Sequence, residues 1–107
     1  MRINKRCPSL PGRVLKNLYL VPLKMSNTEL AKTLNVSRNA ISNIINGHKS
    51  VTPEMALRLS QAFPNSTPES WLALQRNYDL WHTAKETNEW QEVKPIKVPT
   101  HLVLQSA

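Results

Sequence analysis

The chain has 107 residues with 40% hydrophobic and 20% charged side chains, the balance of one small globular domain, which excludes a wholly disordered chain and most two-domain arrangements. Its longest apolar stretch, Leu18 to Leu23, is broken by Pro22 and falls far short of the roughly 20 residues that a membrane span requires. The net charge of +7 is unevenly placed, because residues 1–60 carry ten Lys or Arg against Glu29 and Glu54 while residues 61–107 carry four against five acids. The first half is therefore suited to a polyanion, and charge alone leaves nucleic acid, an anionic membrane surface and an acidic protein open.

Residues 1–10 read as a basic arm, with Asn4, Lys5, Arg6, Pro8 and Ser9 where an export signal would need an apolar run, so a cytoplasmic protein is expected. Cys7 is the only cysteine, which rules out an internal disulfide and a multi-thiolate zinc site and fits a reducing compartment.

Five helices are predicted next, making the chain all-α up to its tail. Pro11 opens the first at its N1 position, with Val14, Leu15, Leu18 and Tyr19 as its apolar stripe and Pro22 as its stop. Ser26 and Glu29 form a capping box for the second, whose inner face is Leu30, Ala31 and Leu34. Ser37 caps the third, Arg38 to Asn46, with Ala40, Ile41, Ile44 and Ile45 on one side and Gly47 in the C′ position. Thr52-Pro53-Glu54 starts a fourth, carrying Met55, Ala56, Leu59 and Phe63. The same tripeptide at Thr67-Pro68-Glu69 starts the longest, running to about Glu86 with Trp71, Leu74, Tyr78 and Trp81 on one face and Ala73, Leu80 and Ala84 on its neighbour.

This divides the chain into an arm (1–10), a helical domain (11–90) and a tail (91–107). In the tail, Ile96, Val98, Leu102 and Leu104 alternate, with Pro95 and Pro99 on the other parity, which reads as an edge strand or extended arm. Such a strand needs a partner, and a second copy of the same segment is the simplest one; a solvated tail is the plain alternative.

The informative stretch is Ser26 to Lys49. A two-turn helix, the short turn Asn35-Val36 and a second helix with a wholly polar outer face meet the requirements of a helix-turn-helix. On that face Arg38 can pair with guanine O6/N7, Asn39, Asn43 and Asn46 with adenine N6/N7, and Ser42 with a base edge or a phosphate. Around it, the helix starts at Asn27, Thr28 and Ser37 offer amides to phosphates, and His48 and Lys49 follow the Gly47 stop. A polar helix face is usually only solvated, but this one lacks Asp and Glu, follows a capped helix and turn, and lies in the basic half.

At these residues the chain resembles a known family. Ser26-Asn27-Thr28-Glu29-Leu30-Ala31, Val36-Ser37-Arg38-Asn39-Ala40-Ile41-Ser42 and Ile45-Asn46-Gly47 fit the Xre/Cro-like, lambda-repressor-like helix-turn-helix pattern. Val51 to Leu59, Glu69 to Gln75, Tyr78-Asp79-Leu80-Trp81 and the Pro11 to Leu15 start are similar to the HigA-type antitoxins, also called VapI, of bacterial toxin–antitoxin modules. The resemblance covers about residues 8–84. It implies a homodimeric repressor that binds a palindromic operator in its own promoter and neutralises a HigB-type toxin, an mRNA endonuclease. By motif position it assigns DNA-facing roles to Asn27, Thr28, Ser37, Arg38, Asn39, Ser42, Asn43 and Asn46. Residues that meet the toxin do not carry over.

Other chemistry finds little support. His48, His82 and His101 are widely separated and lack metal-ligand spacing, and no cofactor is implied. Cys7 has no activating partner in its local sequence, no serine sits in a G-x-S-x-G setting, and Gly12 and Gly47 are the only glycines, too few for a phosphate loop. No enzyme is expected. Trp71, Tyr78 and Trp81 are read as core or dimer interface. The alternatives to the antitoxin are a solitary Xre-type regulator and a module that binds an acidic protein.

Overall fold

The computed structural model describes residues 6–99. Within them the order is helix α1, made of an α turn Pro11–Val14, a π-helical stretch Leu15–Leu20 and a closing turn Val21–Leu23; α2, Asn27–Leu34; α3, Arg38–Ile45; α4, Pro53–Ala62; and α5, Pro68–Glu86, followed by a 3-10 turn Glu89–Glu92. The described residues contain no strand. Val93 to Pro99 have no regular structure and are exposed, and the alternating positions Leu102 and Leu104, like His101, lie outside the described residues. No helix among the described residues is long and apolar enough to cross a membrane.

Helix starts follow the local sequence. Ser26 and Glu29 close a reciprocal capping box, Oγ accepting from the Glu29 amide at 3.1 Å and Oε1 from the Ser26 amide at 3.1 Å. Ser37, Thr52 and Thr67 each accept from the amide three residues on. Thr67 also makes a return bond, from its own amide to Ser70 Oγ at 3.1 Å, so Ser70 takes the place usually held by Glu or Gln.

Helix stops are more uniform than the sequence suggests. Lys24, Asn35 and Gly47 are all left-handed, with φ of 53°, 57° and 78°. In each case the left-handed residue and the one after it donate to carbonyls three and five positions back: Lys24 and Met25 to Val21 and Leu20, Asn35 and Val36 to Lys32 and Ala31, Gly47 and His48 to Ile44 and Asn43. Three Schellman motifs thus turn the chain out of α1, α2 and α3. Pro22, expected to end the first helix, lies inside its last turn instead. The turn before it is wide, the Val21 amide reaching back to the Lys16 carbonyl, and that extra room relieves the clash a proline ring makes in a tighter α-turn.

The core gathers Leu15 and Leu20 of α1, Leu30, Ala31 and Leu34 of α2, Ile41 and Ile44 of α3, Val51, Ala56, Leu59 and Phe63 around α4, and Trp71 of α5. Tyr19 leans on Phe63 and Trp71 with ring centroids 4.3 and 5.7 Å apart, and the Trp71 indole donates to Ser66 Oγ at 2.9 Å. Of the aromatic set read as core or dimer interface, Trp71 is buried while Tyr78 and Trp81 are half-buried.

The one buried polar side chain among the described residues, Gln75, accepts from the Val51 amide at 2.8 Å and donates to Asp79 Oδ1 at 3.0 Å. It ties α5 to the loop behind α3. Gln75→Leu keeps the volume but leaves that amide without an acceptor, so a loss of about 1–3 kcal/mol is expected in urea unfolding. An unchanged midpoint would show that water takes over the bond.

Candidate nucleic-acid interface

The turn between α2 and α3 is one of the three left-handed stops, followed at once by the Ser37 cap. Asn35 ends α2, Val36 tucks half-buried against the core, and Ser37 Oγ accepts from the Ala40 amide at 3.0 Å to begin α3. The residue Ala31, 4% exposed, faces this angle. Small size there lets the two helices close on each other.

A second, longer-range contact fixes the same turn. Arg58 of α4 donates from Nη1 to the Leu34 carbonyl at 2.7 Å and to the Asn35 carbonyl at 3.4 Å, while its Nε and Nη2 grip Glu54 Oε1 at 3.2 and 2.8 Å. The guanidinium satisfies the last carbonyls of α2 and opposes the negative end of that helix. Glu54 holds it in place.

With its inner side locked by Ile41 and Ile44, α3 turns its other side outward. Arg38, Asn39 and Asn46 are exposed, and Ser42 and Asn43 are half-buried with no acid among them. Asn46 donates from Nδ2 to Ser42 Oγ at 3.3 Å, which orders two neighbouring polar groups on that face. Beside it lies a hollow of about 330 Å³ between Ser37, Asn39, Asn43, Lys49 and Met55. His48 and Lys49, both exposed, are held by amide bonds to the Asn43 carbonyl at 2.8 and 3.2 Å.

Asn27 and Thr28 occupy the first turn of α2, where backbone amides have no acceptor within the helix. The Glu29 carboxylate of the capping box sits in the same turn. Every DNA-facing residue singled out from the sequence thus lies on α3, at its Ser37 cap, on the loop that follows it, or at the start of α2. Arg58, Gln75 and Gly12, which set the position of these elements, fall within the motifs that carry the resemblance but received no role from the sequence; the Glu54–Arg58 spacing signals an ion pair but not its carbonyl partners.

Gly12 brings α1 against the end of α3. A Cβ there would strike the Ile44 carbonyl oxygen and lie 2.6 Å from Ile45 Cα. Leu10 packs near Gly47, where a Cβ would stand 3.0 Å from its Cδ2. The far end of α3 is therefore covered by the start of α1, while its outer face stays open.

Residues 15–70 match the helix-turn-helix family. Antitoxin HigA-1 of Vibrio cholerae serotype O1 is 41% identical over 102 residues, covering 92% of this chain and 92% of that protein. A HigA-family addiction module antidote protein from Coxiella burnetii superposes with a TM-score of 0.78 at 38% identity, covering 85% of this chain and 100% of that one. The Pseudomonas aeruginosa antitoxin HigA, solved with the higBA promoter, gives a TM-score of 0.74 at 30% identity over 84% of this chain and 99% of that one. By its helix-turn-helix, its five-helix fold and these likenesses, the chain belongs to the HigA-type antitoxins of the Xre-like, DNA-binding helix-turn-helix family.

Proposed function

We propose that this protein is the antitoxin of a HigBA-type module, a homodimer that represses its own promoter and neutralises a HigB-type toxin. The observation that carries the DNA half of this reading is the outward, acid-free face of α3, carrying Arg38 and Asn39 on a helix whose opposite side is anchored by Ile41 and Ile44. In this reading each protomer inserts the Ser37–Asn46 helix into a major groove, with Arg38, Asn39, Ser42 and Asn43 at the bases and Asn46 at the rim. Asn27, Thr28, Ser37, His48 and Lys49 hold the backbone. The place of action is the cytoplasm, where an operator lies.

A dimer would place two half-sites about one helical turn, roughly 34 Å, apart on a palindrome. Uncovered apolar side chains support a second copy: Leu18, Val21 and Leu23 on α1, and Val93, Ile96 and Val98 at the start of the tail. The toxin half rests on the likeness to HigA-1 and the Coxiella antidote protein.

Two measurements test the halves separately. A duplex from the chain's own promoter should be shifted in a gel at concentrations that leave a scrambled duplex free; equal shifts would leave only a generic polyanion binder. Co-expression with the toxin-sized reading frame beside its gene should rescue growth and yield a co-purifying complex. Retained operator binding without rescue would make the protein a solitary regulator.

A further inference from the structure

The cleft where α1 meets α3 has a use that the helix-turn-helix reading does not give it. It has a volume of about 250 Å³ and is lined by Leu10, Arg13, Lys16, Asn17, Ile45 and Asn46. We propose that Arg13, Lys16, Asn17 and Asn46 together seat a phosphate of the DNA backbone at the rim of the major groove.

Arg13 and Lys16 stand three residues apart, hence on one face of α1, and both are exposed. Two like charges so placed repel each other slightly, and no carboxylate lines the cleft to offset them. Neither side chain has a hydrogen bond or ion pair among the described residues, where the one ion pair is Arg58–Glu54. Capping α3 does not explain them either, since the carbonyls of Asn43 and Ile44 are already taken by the amides of Gly47, His48 and Lys49. An anion supplied from outside is what this arrangement lacks.

Asn46 joins the cleft to the outer face of α3, because it lines the one and ends the other. A major groove is about 8.5 Å deep. Helix α3, Arg38–Ile45, spans roughly 12 Å at a rise of about 1.5 Å per residue. When α3 enters by its N-terminal turn with its axis inclined to the groove floor, its last turn rises to the level of the sugar–phosphate wall. The contact between Gly12 and the Ile44–Ile45 backbone then delivers Arg13 and Lys16 to that level. Arginine and asparagine supply N–H donors in fixed directions and lysine a mobile point charge, a set suited to phosphate oxygens.

This inference rests on the groove-facing reading of α3, and the experiment separates the two. Binding of the full chain to its promoter duplex and to a scrambled duplex is followed by fluorescence anisotropy over a series of KCl concentrations. The variants are Arg13→Gln, Lys16→Gln and the pair, with Arg13→Lys and Lys16→Arg as charge-keeping controls. The double variant should bind both duplexes about tenfold more weakly, with the slope of log K against log salt shallower by about 0.9 for each phosphate left unneutralised. The promoter-to-scrambled ratio and the melting midpoint should stay as in the wild type, and the charge-keeping pair should recover most of the affinity.

An unchanged salt slope, or a weakening matched by a drop in melting temperature, would overturn the phosphate seat while leaving the role of α3 intact. A collapse of the promoter-to-scrambled ratio in the double variant would also overturn it, since the cleft would then be reading bases. A wild-type protein that fails to prefer its promoter would remove the groove-facing reading and the seat with it.

Discussion

Gly12→Ala is expected to destabilise the protein by about 3 kcal/mol, at the upper end of what overpacking one methyl group costs. The reason lies in what the methyl meets. Most overpacked sites relax by swinging a side chain, but here the obstacle is the Ile44 carbonyl and the Ile45 Cα, both backbone of α3. Relief requires α1 to slide off α3, opening the core at Leu15 and Ile44. For a domain of this size the loss corresponds to a fall of roughly 15 °C in melting temperature, readable by circular dichroism. A midpoint within a few degrees of wild type would mean that the two helices do not approach so closely. Helix propensity alone predicts the opposite, a gain of about 1 kcal/mol for alanine over glycine inside a helix, so the sign of the result is decisive.

Arg38→Ala is expected to abolish much of the discrimination between operator and unrelated DNA. A bidentate contact to a base is worth about 1–3 kcal/mol of selectivity per half-site, so a symmetric dimer would lose at least about 30-fold across both. Asn39→Ala should act likewise at a neighbouring base pair. Lys49→Ala provides the contrast: its ammonium has no base to choose, so it should weaken all sequences alike and flatten the salt dependence by about 0.9 units of slope per protomer, close to two for the dimer. Competition binding with promoter and random duplexes distinguishes the two patterns. Equal loss on both duplexes for Arg38→Ala would place that guanidinium on the backbone instead.

The parts of this structure that were legible in the sequence are those whose partners lie within one turn of chain. Ser26 with Glu29, and Ser37, Thr52 and Thr67 with amides three residues on, are local bonds, and the helix starts could be read from them. Gly47 announced its stop because only glycine takes a positive φ without strain. Asn35 takes the same conformation in the turn read at Asn35-Val36, as asparagine does more readily than most residues, whereas Lys24 adopts it unannounced, two residues after a proline whose own chemistry already favours a stop. Arg58 to the Leu34 carbonyl and Gln75 to the Val51 amide each span 24 residues, and no local pattern encodes such a pairing.

The candidate interface shows the same division. The outer face of α3 follows from periodicity, because polar positions alternate with Ala40, Ile41, Ile44 and Ile45 at helical spacing. The cleft at Arg13 and Lys16 does not, since it exists only once Gly12 has brought α1 to the end of α3. As for the tail, its alternation was legible but its exposed beginning, Val93 to Pro99, forms no strand within one chain.

Helix α5 outlasts the core it packs on. Gln75 is its last buried residue, and from Arg76 to Glu86 every side chain is exposed or half-buried, a projection of roughly 16 Å. One continuous ladder of hydrogen bonds therefore contains two thermodynamic regions: a stretch from Trp71 to Gln75 that opens only with the whole domain, and a less buried one beyond it, touched by Cys7 of the arm at 3.7 Å from His82, that opens at lower cost.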